Sequence, residues 1–119
     1  QVEGAVDEAA ALQVARTVCG SSLVKTAVHG RDPNWGRIVA AAGRSGVSFD
    51  PDAVALCIGP HQLMAAGQPV AFDRAAASNV LRHEHVPIRL GLGHGSGCGQ
   101  AWGCDLSDQY VRINADYTT

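Results

Sequence analysis

The sequence has few aromatic residues and no long apolar run. Phe, Trp and Tyr make up 5% of its 119 residues, although apolar residues as a whole reach 46%. A core of small aliphatic side chains is therefore expected, with helices and strands packed closely together. No apolar stretch reaches the roughly 18 residues of a membrane-spanning helix, so no segment is expected to cross a membrane.

An excess of charge of either sign is also missing. Nine Lys and Arg stand against eleven Asp and Glu, the formal net charge is −2, and no run of like charges occurs. Nucleic acid and anionic lipid bind basic surfaces, so neither is expected as a partner. The length suits one domain covering residues 1–119.

The cysteines form no recognisable metal or redox motif. Cys19, Cys57, Cys98 and Cys104 include no CxxC pair, and no histidine spacing completes a zinc site. We therefore expect no bound metal and no resident cofactor. Free thiols suit a reducing compartment, which favours a cytoplasmic protein.

The first residues do not resemble a natural N-terminus. They have no initiator Met, no basic segment and no apolar segment of the kind that a signal peptide needs. Val2 and Glu3 instead have the pattern of a strand that the start of the sequence interrupts. The expectation is that the chain is a fragment of a longer protein.

Capping residues predict three helices. Asp7 is expected to cap the first, which ends at Gly20, and Asp32-Pro33 to begin the second. Asp73 is expected to cap a third helix that runs to about His83. The second helix is expected to turn four side chains inward: Trp35, Ile38, Val39 and Ala42.

Turn residues divide the remaining sequence into predicted strands. Residues 53–58 and 62–66 are expected to be strands, and 67–69 to close the second of them with a turn. Residues 86–92 are expected to form another strand, at the edge of the sheet because Pro87 cannot donate a ladder hydrogen bond.

Three segments stay open or weakly assigned. Residues 23–28 and 107–117 each fit a helix or a strand, and residues 101–106 can re-enter the sheet. The predicted fold class is therefore α/β (α+β), with a small mixed sheet packed with helices.

A glycine-rich segment carries glycine at every second position from Gly91 to Gly99. Such loops can hold phosphate with backbone N–H groups, but no Walker Gly-Lys-Ser/Thr follows and no helix start comes directly after. A hairpin loop, or close backbone packing against another chain, is the favoured interpretation. His94 lies within this segment and could reach a substrate, although the histidines are expected to be surface residues.

A polar segment around Asp32 also allows two interpretations. Arg31 and Arg37 flank a predicted helix start and could hold a carboxylate with paired hydrogen bonds. The alternative is a capped helix whose arginines bind neighbouring carbonyl groups. Residue chemistry leaves both open.

Three stretches carry a resemblance to a known family. They are LVKTA at residues 23–27, GRDPNWGRI at 30–38 and AWGCDLSDQYVRINADYTT at 101–119. In this order and spacing they resemble the ornithine acetyltransferase family, also called bifunctional glutamate N-acetyltransferase, over essentially all 119 residues.

The resemblance implies an enzyme of arginine biosynthesis. Such enzymes move an acetyl group from N2-acetylornithine to glutamate, and some also use acetyl-CoA as the donor. The precursor cuts itself before a threonine into an α and a β chain, and the freed threonine becomes the nucleophile of a ping-pong reaction. Assemblies of α and β chains are implied as well.

The resemblance also implies which part of the enzyme this chain is. None of its four threonines follows alanine, so the nucleophile is expected upstream and no catalytic residue is expected here. The chain is then the C-terminal part of a β chain, inactive alone, with the α chain and the rest of the β chain as partners. Two substrate-binding positions carry over, Asn114 and Thr119. The alternative is a stand-alone, non-catalytic amino-acid-binding domain of the same fold.

Overall fold

The computed structural model describes residues 1–107 and 112. Within those residues it contains helices and short strands in alternation, and a 3-10 turn at Pro51–Ala53. The helices are α1 (Glu8–Gly20), α2 (Ser22–His29), α3 (Trp35–Gly43) and α4 (Arg74–Val80). The strands are β1 (Val2–Ala5), β2 (Ala55–Ile58), β3 (His61–Ala65), β4 (Gln68–Pro69), β5 (Ile88–Gly91) and β6 (Gly97–Gly99).

The strands form one six-stranded mixed sheet in the order β4-β3-β2-β5-β1-β6. β1 and β5 are parallel, and the other neighbouring pairs are antiparallel. Helices accompany this sheet, so the predicted mixed α/β fold class is confirmed.

One face of the sheet is buried, and the other carries charged side chains on β1 and β5. Leu90 pairs with both Val2 and Leu56, and all three side chains are buried. Alternation along the strands turns Glu3 and Arg89 the other way, where their side chains are about half exposed. α1 packs against β1 and β6 and also contacts α2 and α3, so these helices cover the buried face.

The predicted caps of α1 and α4 agree with the structure, and the Asp73 carboxylate accepts from the Ala76 N–H at 3.1 Å. The Asp7 carboxylate accepts a hydrogen bond from the Ala10 N–H at 2.8 Å, and α1 ends at Gly20 as expected. The open segment 23–28 is helical, because Ser21 caps α2 and Val24 and Ala27 form its buried face.

The start of α3 differs from the prediction. Its cap is Asn34, whose side-chain oxygen accepts from the Arg37 N–H at 3.0 Å, whereas Asp32 uses its carboxylate elsewhere. The helix therefore begins two residues later than Asp32-Pro33 suggests. Trp35, at its first position, is 36% exposed instead of facing inward, whereas Ile38 is buried.

Replacing Asn34 by alanine is expected to lower the free energy of unfolding by about 1 kcal/mol, because the Arg37 N–H loses its acceptor. Urea denaturation of the purified protein measures this change. Asn79→Ala is the matched control, since Asn79 is an exposed residue inside α4 and alanine has the higher helix propensity there. Equal stability of the two variants would contradict the capping role of Asn34.

The strand boundaries need several corrections. β2 begins at Ala55 because the preceding residues turn through the 3-10 segment, and α4 ends at Val80 instead of His83. The expected turn at 67–69 is partly a strand. Ala66 and Gly67 form the turn with φ of 49° and 72°, a left-handed pair that suits a tight hairpin, and β4 follows at the sheet edge.

The predicted edge strand is central. β5 lies between β2 and β1 and is hydrogen-bonded on both sides. Pro87 stands just before its first residue, so its missing N–H interrupts no ladder, and its carbonyl accepts from the Gly59 N–H at 2.8 Å. Proline here marks the beginning of the strand and not an edge.

The glycine-rich segment is not a loop throughout. Gly97–Gly99 forms β6, which pairs antiparallel with β1 at the sheet edge. A Cβ at Gly99 would lie 2.8 Å from the N atom of Leu12 in α1, so the absent side chain lets the strand approach the helix. The close packing expected against another chain occurs within this one.

None of the helices in the described ranges has the length and apolarity to cross a membrane.

Candidate functional site at the root of the C-terminal tail

The polar segment around Asp32 is occupied by contacts within the chain. The Arg37 guanidinium donates from Nη1 to the Leu23 carbonyl at 3.0 Å and to Thr26 Oγ1 at 3.3 Å. Arg37 thus ties α3 to α2, as the capped-helix interpretation predicts. Arg31 has a left-handed φ of 56°, and its carbonyl accepts from Ser78 Oγ at 2.7 Å.

Asp32 joins the start of α3 to α4. Its Oδ1 lies 2.9 Å from Arg74 Nη2 in an ion pair, and its Oδ2 accepts from Asn34 Nδ2 at 3.0 Å. Both carboxylate oxygens therefore have partners inside the chain. The segment serves as a scaffold that fixes α2, α3 and α4 to one another.

Residues 101–107, here called the tail root, lead from the sheet to the C-terminal residues. They do not re-enter the sheet, which the sequence left possible, and they contact α1 and α2 instead. Ala101 packs on the core, and a Cβ at Gly103 would lie 3.1 Å from the Cys19 carbonyl oxygen. The Leu106 N–H points to the Lys25 carbonyl at 3.4 Å.

A side-chain contact joins the tail root to α2. His29 Nδ1 lies 3.0 Å from Asp105 Oδ2, and the two side chains are 51% and 44% exposed. His29 is the last residue of α2. Sequence reasoning missed this pair, because the two residues stand 76 positions apart and neither belongs to a pattern that predicts a contact.

A cleft of about 580 Å³ lies between the tail root, the helices and the beginning of β5. Apolar side chains of three helices and of the loop after α4 line it: Val18, Val24, Val28, Ile38 and Leu81. Polar and charged side chains also line it: Lys25, His83, Glu84, His85, Arg89 and Asp105. An apolar surface combined with charged groups is typical of sites for small polar molecules.

Cys19, one of two cysteines that line this cleft, is a poor nucleophile. Burial raises the pKa of the Cys19 thiol above its usual value, although Lys25 opposes the shift. A raised pKa keeps the thiol protonated at neutral pH, whereas nucleophilic attack needs the thiolate. All four cysteines lie in the described part of the chain and are free.

His94 lies away from this cleft. It lines a smaller hollow of about 330 Å³ together with Gly4, Val6, Phe49 and Asp50. Within residues 1–107 and at 112, no group of three or more His, Cys, Asp or Glu side chains is arranged to hold a metal ion.

The two predicted substrate-binding residues, Asn114 and Thr119, lie outside the described residues, as does most of the open segment 107–117. The tail root brings the chain to a point nine residues before Asn114, counted from Asp105.

Comparison with known proteins gives consistent results over the full sequence. A family model described as the ArgJ family matches residues 1–119. "Arginine biosynthesis bifunctional protein ArgJ" of Parasynechococcus marenigrum (strain WH8102) is 77% identical over 119 residues, which are 100% of this chain and 29% of that protein. The chloroplastic protein of the same name from Citrullus lanatus is 58% identical, with 99% and 27% covered.

A solved structure shares the fold. The crystal structure of arginine biosynthesis bifunctional protein argJ from Bacillus halodurans superposes with a TM-score of 0.94 at 43% sequence identity. The match covers 98% of this chain and 55% of that one. The chain spans about 30% of the length of the curated relatives that it matches.

Proposed function

Because the chain belongs to the ArgJ family, we propose that it is the C-terminal part of the β chain of an ornithine acetyltransferase that acts in arginine biosynthesis. The whole enzyme would transfer an acetyl group from N2-acetylornithine to glutamate. The observation that carries the proposal is the match of the family model to residues 1–119, together with relatives named for arginine biosynthesis.

The proposed reaction proceeds in two steps on a threonine upstream of this chain. Its hydroxyl oxygen attacks the acetyl carbonyl, and ornithine leaves after its amine takes a proton. The glutamate amine then attacks the acetyl-threonine ester, and the threonine hydroxyl is restored as N-acetylglutamate forms. Acetyl-CoA is a possible alternative donor in the first step.

This chain would supply part of the substrate site and no catalytic residue. Asn114 offers an amide that can donate to a carboxylate and accept from an amine, and Thr119 offers a hydroxyl that can donate and accept. The raised pKa of Cys19 agrees with this division, because it keeps that thiol protonated at neutral pH.

The proposal includes partners and a location. The α chain and the remainder of the β chain would complete the site, in a hetero-oligomer of α and β chains within the cytoplasm.

The alternative is a stand-alone amino-acid-binding domain without catalysis. The contacts of Arg37 Nη1 and of both Asp32 oxygens favour the enzyme, since the segment that could have held a carboxylate binds groups of its own chain.

Substitution of Asn114 by alanine in the full-length enzyme is expected to raise KM about tenfold, the usual effect of losing a hydrogen bond to a charged group. The assay follows acetyl transfer from N2-acetylornithine to glutamate, and KM and kcat are obtained separately. Asn79→Ala, on the exposed side of α4, should leave both constants unchanged.

The same assay separates the proposal from its alternative. The full-length enzyme should transfer acetyl, and the purified 119-residue chain should not. Turnover by the purified chain would place the nucleophile within it and overturn the assignment. An unchanged KM in Asn114→Ala would remove Asn114 from the substrate site.

A further inference from the structure

We propose that the cleft beside the tail root is a binding site for a short aliphatic carboxylate, and that Lys25 binds the carboxylate group. The observation that carries the proposal is a half-buried lysine that lines the cleft and has no side-chain partner within the described residues. Amino acids belong to this class of ligand, so the cleft would give the enzyme a further carboxylate-binding residue. That link to the enzyme is the one part of the inference that rests on the proposed function.

Lys25 differs from the other basic residues of the chain. The nine Lys and Arg residues are Lys25 and eight arginines. Over residues 1–107 and at 112, Lys25 and Arg37 are half-buried and the other arginines are exposed. Arg37 donates to two oxygen atoms, whereas the Lys25 ammonium has no ion pair or hydrogen bond in that part of the chain. Partial burial of an unpaired charge is unfavourable, so a bound anion would stabilise it.

The charge of Lys25 acts inside the cleft. Its backbone is fixed on α2, where its N–H donates to the Ser21 carbonyl at 3.0 Å and its carbonyl accepts from the Leu106 N–H at 3.4 Å. Burial raises the pKa of the Cys19 thiol, and the positive charge of Lys25 acts in the opposite direction. Both side chains line the cleft, so the ammonium lies near the wall that the end of α1 forms.

The walls around Lys25 suit the hydrocarbon part of a ligand. Val18, Val24, Ile38 and Leu81 line the cleft, and each is at most 8% exposed. These side chains can contact an aliphatic chain and offer no hydrogen bond. A volume of about 580 Å³ lies in the range of sites for small molecules. A ligand with one carboxylate and an aliphatic chain therefore matches both parts of the cleft.

The two acidic side chains of the cleft oppose an anion only weakly. Asp105 is exposed, and its Oδ2 lies 3.0 Å from His29 Nδ1. Glu84 is exposed and stands between His83 and His85. Exposed charges act through water of high dielectric constant, whereas the half-buried charge of Lys25 is less screened. The attraction to Lys25 should therefore decide which ligands bind.

The test measures protection of Cys19 in the full-length enzyme, with pentanoate as the probe. Alkylation by iodoacetamide is followed by mass spectrometry of the peptides that contain Cys19 and Cys98. Pentanoate should slow the alkylation of Cys19 and leave that of Cys98 unchanged, because Cys98 is exposed and does not line the cleft. Pentanamide, which has the same chain without the charge, should protect much less, and sodium chloride at equal ionic strength should not protect.

Three variants test the role of Lys25, each compared with and without pentanoate. Lys25→Met keeps an apolar stem and removes the charge, so the concentration that gives half protection should rise about tenfold, the usual effect of losing a hydrogen bond to a charged group. Lys25→Arg keeps the charge and should bind nearly as well as the parent. Arg16→Met makes the corresponding change at an exposed position of α1 and should have no effect.

The outcomes separate the site from the proposed function. Absence of protection in the parent, equal protection by pentanamide, or unchanged protection in Lys25→Met would each overturn the carboxylate site. A parent enzyme that lacks acetyl transfer but shows the expected protection would defeat the proposed function and leave the carboxylate site in place.

Discussion

Replacing Gly97 by alanine is expected to lower the free energy of unfolding by about 3 kcal/mol, the upper part of the usual range for overpacking. A Cβ at this position would lie 2.8 Å from the Asp7 Cα and would overlap the carbonyl group of the same residue. Gly97 is buried and pairs with Ala5, so the new methyl group has no free direction in which to move.

The expected consequence extends beyond β6 itself. Relief of the overlap requires the backbone of β6 to move away from β1 or the Asp7 cap to shift, and both movements disturb the start of α1. The tail root follows β6 directly, so its position should suffer as well. Urea unfolding measures the stability.

Gly43→Ala is the matched control for this prediction. Gly43 is the last residue of α3, and a Cβ there would meet nothing within 4 Å. Alanine is the better helix former, so this variant should be as stable as the parent or more stable by up to about 1 kcal/mol. If Gly97→Ala unfolded at the same urea concentration as Gly43→Ala, the close packing of β6 would not matter for stability.

Replacing Leu56 by alanine is expected to cost about 3 to 4 kcal/mol. Leu56 is fully buried at 0% exposure in β2, where its neighbours across the sheet are Met64 and Leu90. Truncation removes the buried side chain and leaves a cavity that a sheet held on both sides cannot close fully. The loss should appear as a lower urea midpoint.

Leu23→Ala makes the same chemical change on the surface. Leu23 is 53% exposed in α2, so its truncation should change the stability by no more than about 0.5 kcal/mol. The contact that matters at position 23 is the backbone carbonyl, which accepts from Arg37 and survives the substitution. Equal losses in both leucine variants would contradict the assignment of Leu56 to the core.

Local chemistry accounts for the parts of the fold that could be predicted. Asp7 and Asp73 cap helices because a carboxylate beside free N–H groups stabilises a helix start whatever surrounds it. The same rule placed the beginning of α3 wrongly. Asp32 and Asn34 could each cap that helix. The Asp32 carboxylate instead forms an ion pair with Arg74 of α4.

Long-range pairing explains the strand errors. Pro87 is compatible with an edge position or with the residue before a strand, and only the neighbours of β5 decide between them. The glycines from Gly91 onward are equally ambiguous. Gly97–Gly99 forms β6 because β1 offers hydrogen bonds along its free edge and because α1 leaves no room for a side chain at Gly99.

The candidate site also has one part that the sequence predicts and another that only the structure shows. The residues of the tail indicated the family, and from that came Asn114 and Thr119, both outside the described residues and still predictions. The 3.0 Å contact of Asp105 with His29 was not foreseeable, because nothing in either residue's surroundings along the chain marks the other as its partner.

The sequence by itself determined the family, the mixed α/β class and most helix starts, because these depend on motifs and on interactions within a few residues. Only the tertiary structure decided the strand order, the central place of β5, the scaffold role of Arg37 and Asp32, and the anchoring of the tail root. Those features depend on groups that folding brings together from distant positions, and the energy of each contact exists only once both partners are in place.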